Sequence, residues 1–456
     1  MDGNKPYTTI MEPQKLPRAG MIAYGLGALG WSISINIISV LLNYIYLPPS
    51  NAGMQNLIPQ IALFGLFNII SIILFTGRGF DAIVDPLIAH LSDSWKGKIG
   101  RRIPFMRLAF LPASLFCVLI FLPVHHHEST LNILWLAGIQ LLYYFFFGLY
   151  VIPYNALLAE MGHDTQAKIN LSTAQSIGFM FGIIFSSASP AIVSAIIHFS
   201  ITTDRLVAYQ YTIIGLNILA AICMAYPAFY LDEKKYCRTP KATDSFYKSL
   251  KTALTNRNFM VFAVADASYF MSIAIISAGL MYYVKAMLFL DEWIGTLFVF
   301  VMVSITLIFY VVVNRLGGRY SKKKMMVWAF IGVAVVFTEI SFLGMFPVSP
   351  YIQATLLMIT FGIPNAFLGI LPTTVIADIA QQDLKKTGEH KEGMFFGMRA
   401  FFQKIGQTAG VTVFAMLTLY GKDPHHDLGL RLSGVAGGIL CLIAAFAYSR
   451  YREEAN

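Results

Sequence analysis

The chain reads as an all-α polytopic membrane protein of 12 transmembrane helices in two six-helix halves, on three observations. Hydrophobic residues fill 57% of its 456 positions and charged residues 12%, with a mean hydropathy of +0.64, whereas roughly a quarter of a soluble domain is charged. Apolar runs of about 20 residues or more recur along the whole length, each long enough for a hydrocarbon core about 30 Å thick. The basic residues between those runs alternate between rich and poor connections.

In chain order, residues 1–20 are polar and proline-containing, with no apolar core before a small-residue cleavage site, so they read as a cytoplasmic segment and not a signal peptide. Span one (21–47) opens on YGLGALG, and span two (58–92) is apolar except for Arg78, Asp81 and Asp85. Span three (104–123) follows the basic turn KGKIGRR. Span four (130–158) follows His125, His126, His127 and Glu128 and exits through ALLAEM; spans five (171–198) and six (207–231) complete the first set. The longest polar connection, Leu231 to Asn258, then divides the chain into an N-terminal bundle (21–231), a cytoplasmic linker (232–257), a C-terminal bundle (258–451) and a tail (452–456). Spans seven to twelve fall at 258–287, 292–315, 325–346, 350–378, 393–420 and 430–450. None of these runs alternates in polarity over segments of about 10 residues, which excludes an outer-membrane barrel.

The formal charge of +9 concerns orientation and not nucleic acid. With the N-terminus in the cytoplasm, the loops on that side hold Lys96, Lys98, Arg101, Arg102, Lys234, Lys235, Arg238, Lys241, Arg315, Arg319 and Lys322 to Lys324. The other side holds Arg205, Lys285, Lys422 and Arg431, so the positive-inside rule places both termini in the cytoplasm. Cys117, Cys223, Cys237 and Cys441 are scattered and form neither a disulfide framework nor a zinc spacing. The adjacent histidines cannot converge on one ion and read as a solvated loop, so no metal and no cofactor is expected.

The halves echo each other. LSDSWKGKIGRR leaving span two has a counterpart in NRLGGRYSKKK leaving span eight, and ALLAEM in TVIADI, both at an offset of about 220 residues, as for two six-helix halves related by an axis along the membrane normal.

Arg78, Asp81 and Asp85 share one helical face at i, i+3 and i+7. Asp81 lies twelve residues in from Asp93, about 18 Å at a rise of 1.5 Å per residue, near mid-membrane. Charge at that depth costs at least about 2.5–3.5 kcal/mol per group, so these residues must face one another, another helix or water. One arginine and two aspartates leave the site one positive charge short, which invites a proton, a metal cation or a basic partner such as Lys404 in span eleven. Asp266 and Glu339 are isolated acids that line a cavity or pair with something the sequence does not reveal.

Asp93 can face Lys98, Arg101 and Arg102 in a cytoplasmic latch, and Glu160 and Asp378, ending spans four and ten, read as further members of that gate. Trp31, Ser32, Asn36, Tyr150, Tyr154, Asn155 and Gln175, with Arg399 of span eleven, are the candidate substrate contacts, able to stack on and hydrogen-bond a sugar-like solute. An intramembrane enzyme would need a nucleophile–base pair or a ligand cluster within the spans, which the sequence does not offer.

FDAIVDP, GRRIPF, EGMFFGMRAFFQKIGQ and YGLGALG resemble the glycoside-pentoside-hexuronide:cation symporters, the melibiose permease group of the major facilitator superfamily, over essentially the whole chain. The resemblance implies the major facilitator fold and import of a sugar or glycoside with a proton, sodium or lithium ion. It places the two acids of the cation site on Asp81 and Asp85, its arginine on Arg78 and its helix-eleven lysine on Lys404. Where melibiose permease has an asparagine and a threonine at that site, this chain has Val84 and Gly148, which favours a proton (H+) over sodium (Na+). Its charged sugar ligands fall on Ser32, Val151 and Gln175, so the expected substrate is a sugar, glycoside or related small solute read by neutral amides and aromatics. A lipid or lysolipid transporter on the same fold is the alternative. The expected setting is a monomer in the bilayer of a bacterial plasma membrane.

Overall fold

The computed structural model describes residues 14–452 apart from 61, 64–66, 96, 98, 163–164, 238–253, 318–319 and 388–391. Its helices of ten residues or more are α1 (Arg18–Tyr46), α2 (Ile69–Ser94), α3 (Ile103–Ile120), α4 (Thr130–Met161), α5 (Thr165–Ser187), α6 (Ser189–His198), α7 (Arg205–Tyr230), α8 (Arg257–Tyr282), α9 (Trp293–Gly317), α10 (Lys322–Ser341), α11 (Pro350–Thr387), α12 (Glu392–Leu417) and α13 (Leu428–Ser449). The fifth expected span is divided between α5 and α6 because Pro190 has no N–H to continue the ladder. The Ser186 carbonyl that Pro190 cannot bond accepts instead from the Ser189 hydroxyl at 2.6 Å. The second span begins later than expected. Residues Ala62–Leu63 and Phe67–Asn68 pair as two-residue antiparallel strands ahead of α2.

Among the described residues, ten spans, one of them α5 and α6 together, are long and apolar enough to cross a membrane. The other two helices, α2 and α12, are each 26 residues long and carry the intramembrane charges, a pattern consistent with twelve spans. Their charges face inward. On α2, Asp81 is 3% exposed while Ile83 and Leu87, on the other side of the helix, are 70% and 59% exposed, the division expected of a helix with lipid on one face.

The same packing pattern occurs twice. In the first half α1 packs on α5 and α7, α3 on α4 and α7, and α2 on α4; in the second α8 packs on α12 and α13, α10 on α13, and α9 on α11. A close glycine seam repeats too, because small residues let membrane helices approach closely. A Cβ on Gly178 of α5 would stand 2.0 Å from the Gly25 carbonyl of α1, and one on Gly410 of α12 would stand 2.2 Å from the Met271 carbonyl of α8. Across the two halves, α2 meets α12, α1 meets α8, and α9 meets α6. The α2–α12 contact brings the two charged helices face to face.

Candidate functional site

Asp81 and Asp85 project from α2 toward α12, where Lys404 reaches both. Its Nζ lies 3.3 Å from Asp81 Oδ2 and is also bonded to Asp85 Oδ2. The ammonium therefore bridges two carboxylates across the boundary between the halves. The second oxygen of each acid, Oδ1, is buried without a hydrogen-bond donor among the described residues. Two unsatisfied carboxylate oxygens inside a protein are costly, so the site has acceptor capacity that Lys404 does not use.

The neighbours of this pair define what else could bind. Val84 is buried beside the two acids and offers no oxygen. Gly148 of α4 faces Asp85, and a Cβ there would sit 3.2 Å from Oδ1. Arg78, on the same face of α2, meets α4. Its guanidinium lies over the Tyr144 ring, 5.1 Å from the centroid, in cation–π geometry. Lys404 is the described ion-pair partner of both acids.

A second charged group sits in the C-terminal half. Asp266 of α8 is 3% exposed and pairs with Arg399 (Nε to Oδ2, 3.0 Å), while Gln403 Nε2 donates to the same oxygen at 2.9 Å. Arg399 also donates to Thr373 Oγ1 at 3.3 Å. Asp266 is thus not isolated. Neither is Glu339, whose carboxylate accepts from Thr360 Oγ1 at 2.6 Å.

The other sequence-predicted contacts divide in two. Ser32 Oγ donates to the Phe179 carbonyl at 2.8 Å, Tyr150 to Met224 O at 2.8 Å and Tyr154 to Tyr24 O at 2.7 Å, with the Tyr154 and Tyr24 rings stacked 4.3 Å apart. All three are fully buried, and their hydroxyls fasten helices of the first half to one another. Asn36 turns back along its own helix, donating to Ser32 O at 2.8 Å. Trp31, Asn155 and Gln175 retain capacity. Trp31 lies against Phe147 and Phe179 with its Nε1 unpartnered among the described residues, and Gln175 Nε2 donates to Asn155 Oδ1 at 2.8 Å.

At the end of the bundle that carries the termini, Glu160 is held by Arg101 at 2.9 Å and Arg102 at 3.0 Å, and Lys322 pairs with Asp378 at 2.6 Å. Burial lifts the Glu160 carboxyl above its ordinary value, while Arg102 and Arg101 pull it down. Arg101 and Arg102 thus meet Glu160, and the side chain of Asp93, with Lys98, lies outside the described residues. Glu233 escaped the sequence reading. Its carboxylate accepts from the backbone N–H groups of Arg101, Arg102 and Ile103 at 2.8, 2.8 and 3.1 Å, clasping the start of α3. The only hint in the sequence was an acid immediately after span six.

Also unforeseen was the polar closure at the opposite end. Glu292, just before α9, is bonded by Tyr44, Tyr209 and Arg205 of the first half, and Lys422 reaches oxygens of Leu47, Pro48 and Asn56. The ion pairs described at the terminal end, Arg101 and Arg102 with Glu160 and Lys322 with Asp378, each stay within one half. The arrangement is closed away from the termini, with the Asp81–Asp85–Lys404 group between the two ends.

An uncharacterized symporter of Synechocystis sp. is 23% identical, over 88% of this chain and 85% of its own. A glucuronide carrier protein homolog of Escherichia coli is 24% identical over 78% of each chain. The nucleoside transporter NupG superposes with a TM-score of 0.66 at 12% identity, covering 95% of this chain and all of its own, and shares the fold. The family model for MFS/sugar transport proteins matches residues 23–424, and the chain belongs to that family.

Proposed function

We propose that this protein is a secondary active symporter that imports a sugar, glycoside or related small solute together with a proton, by alternating access. The observation that carries the reading is the bridge from Lys404 to Asp81 and Asp85 across the halves. A charged group shared between two moving bodies links the charge state of the site to their separation. Protonating either aspartate weakens its hold on Lys404, and the spare Oδ1 atoms supply places for the proton. Sodium needs several hard oxygens, and Val84 and Gly148 provide none.

Trp31, Asn155, Gln175 and Arg399 are assigned to the solute: an aromatic face, a pair of amides and a guanidinium already neutralised by Asp266. That set suits a hydroxyl-rich, uncharged ligand. The termini are assigned to the cytoplasm of a bacterium, which makes the closure an outer one and the state described inward-facing.

The test is uptake of labelled glycosides and uronides into right-side-out membrane vesicles, under imposed proton and sodium gradients separately. Accumulation driven by the proton gradient is expected. Solute concentrated with equal efficiency in the absence of any gradient would sink the proposal.

A further inference from the structure

Glu292 belongs to the second half, yet all its side-chain partners among the described residues come from the first. Tyr44 of α1 donates to Oε1 at 2.8 Å, Tyr209 of α7 donates to Oε2 at 2.5 Å, and Arg205 of α7 forms an ion pair with Oε1. The residue is 4% exposed. A buried carboxylate is tolerated when it is paired and hydrogen-bonded, and here separating the halves removes all three partners in one movement.

A second seat lies beside it. Lys422, 3% exposed, extends from the second half and donates to Leu47 O at 2.9 Å, Pro48 O at 2.6 Å and Asn56 Oδ1 at 3.1 Å. Tyr282 donates to Asn43 O and Leu47 O at 2.9 Å each, and Asp423 Oδ1 accepts from the Ser50 amide at 2.6 Å. The stretch after α1 is therefore strapped to the second half by groups that are costly to bury unless they are bonded.

We propose that Glu292, seated in the Tyr44–Tyr209–Arg205 cradle and seconded by Lys422, is the clasp that holds the transporter closed at the end away from its termini. Its opposite state is a hydrated carboxylate, so the clasp has two discrete arrangements. The inference rests on the alternating-access reading but concerns a different set of residues.

The test is labelling of Ala52→Cys, in a chain also carrying Cys237→Ser, with a membrane-impermeant maleimide. Ala52 is 1% exposed at this end, and its carbonyl accepts from Arg205. Glu292→Gln is expected to raise the labelling rate on the order of tenfold or more, since breaking a buried ion pair costs several kcal/mol. Tyr44→Phe with Tyr209→Phe, which leaves the ion pair, is expected to raise it less and stands in if Glu292→Gln does not fold. Asp427→Asn is the control. It breaks an ion pair with Arg431 (2.6 Å) at the same end but within one half, and should leave labelling unchanged.

Labelling unchanged in folded Glu292→Gln protein, or raised equally by Asp427→Asn, would overturn the clasp. Faster labelling in Glu292→Gln alongside uptake indifferent to ion gradients would support the clasp while removing the symport reading.

Discussion

Replacing Asp81 by asparagine removes one of the two carboxylates that Lys404 bridges and keeps the side-chain shape. At 3.3 Å, a unit-charge pair interacts by roughly 5 kcal/mol at an effective dielectric of about 20. Breaking a buried pair costs about 3–5 kcal/mol in practice, and with 34% of the Lys404 side chain exposed the lower figure applies. At 1.4 kcal/mol per factor of ten, about 3 kcal/mol is a ~100-fold change in the equilibrium that links α2 to α12. The expected phenotype in vesicles is loss of gradient-driven accumulation, the internal-to-external solute ratio falling to near one, with solute exchange retained. Exchange persists because the solute contacts assigned here, Trp31, Asn155, Gln175 and Arg399, lie on α1, α4, α5 and α12 and not on α2. Accumulation equal to the unmodified protein would refute the assignment of Asp81.

Three further outcomes are expected. Gly178→Leu drives a side chain into the Gly25 carbonyl and should lower stability by about 3 kcal/mol, read as an earlier thermal unfolding midpoint in detergent; an unchanged midpoint would mean that α1 and α5 are not so close. Glu160→Gln takes the charge from the acceptor of Arg101 and Arg102 and should cost about 2 kcal/mol by the same measurement, whereas a neutral result would remove the latch role. Combining Val84→Asn with Gly148→Thr supplies two oxygens beside Asp85 and should make uptake respond to sodium; uptake that stays indifferent to sodium would remove these two positions from ion choice.

How far the sequence reached can be judged residue by residue. The face formed by Arg78, Asp81 and Asp85 follows from helical period alone, and the need for a basic partner follows from counting charges. That Lys404 is this partner while Arg78 turns to Tyr144 depends on where α4 and α12 lie against α2. Asp266 looked isolated because Arg399, its partner, is 133 positions away. Ser32, Tyr150 and Tyr154 looked available because a polar atom on an apolar helix carries no sign of whether a neighbouring carbonyl will take it. Here three carbonyls do.

By itself the sequence determined that this chain spans a membrane as helices and that its second and eleventh spans carry charge lipid would not accept. Those properties are local, since hydropathy and helical period are set by neighbours in the chain. Tertiary structure decided the rest. Glu292 is 248 positions from Tyr44 and Lys422 is 375 from Leu47, so the closure at the far end exists only once the two halves are brought together. A hydrogen bond is a matter of a few ångströms in space, and no pattern along the chain encodes which distant groups will come within that reach.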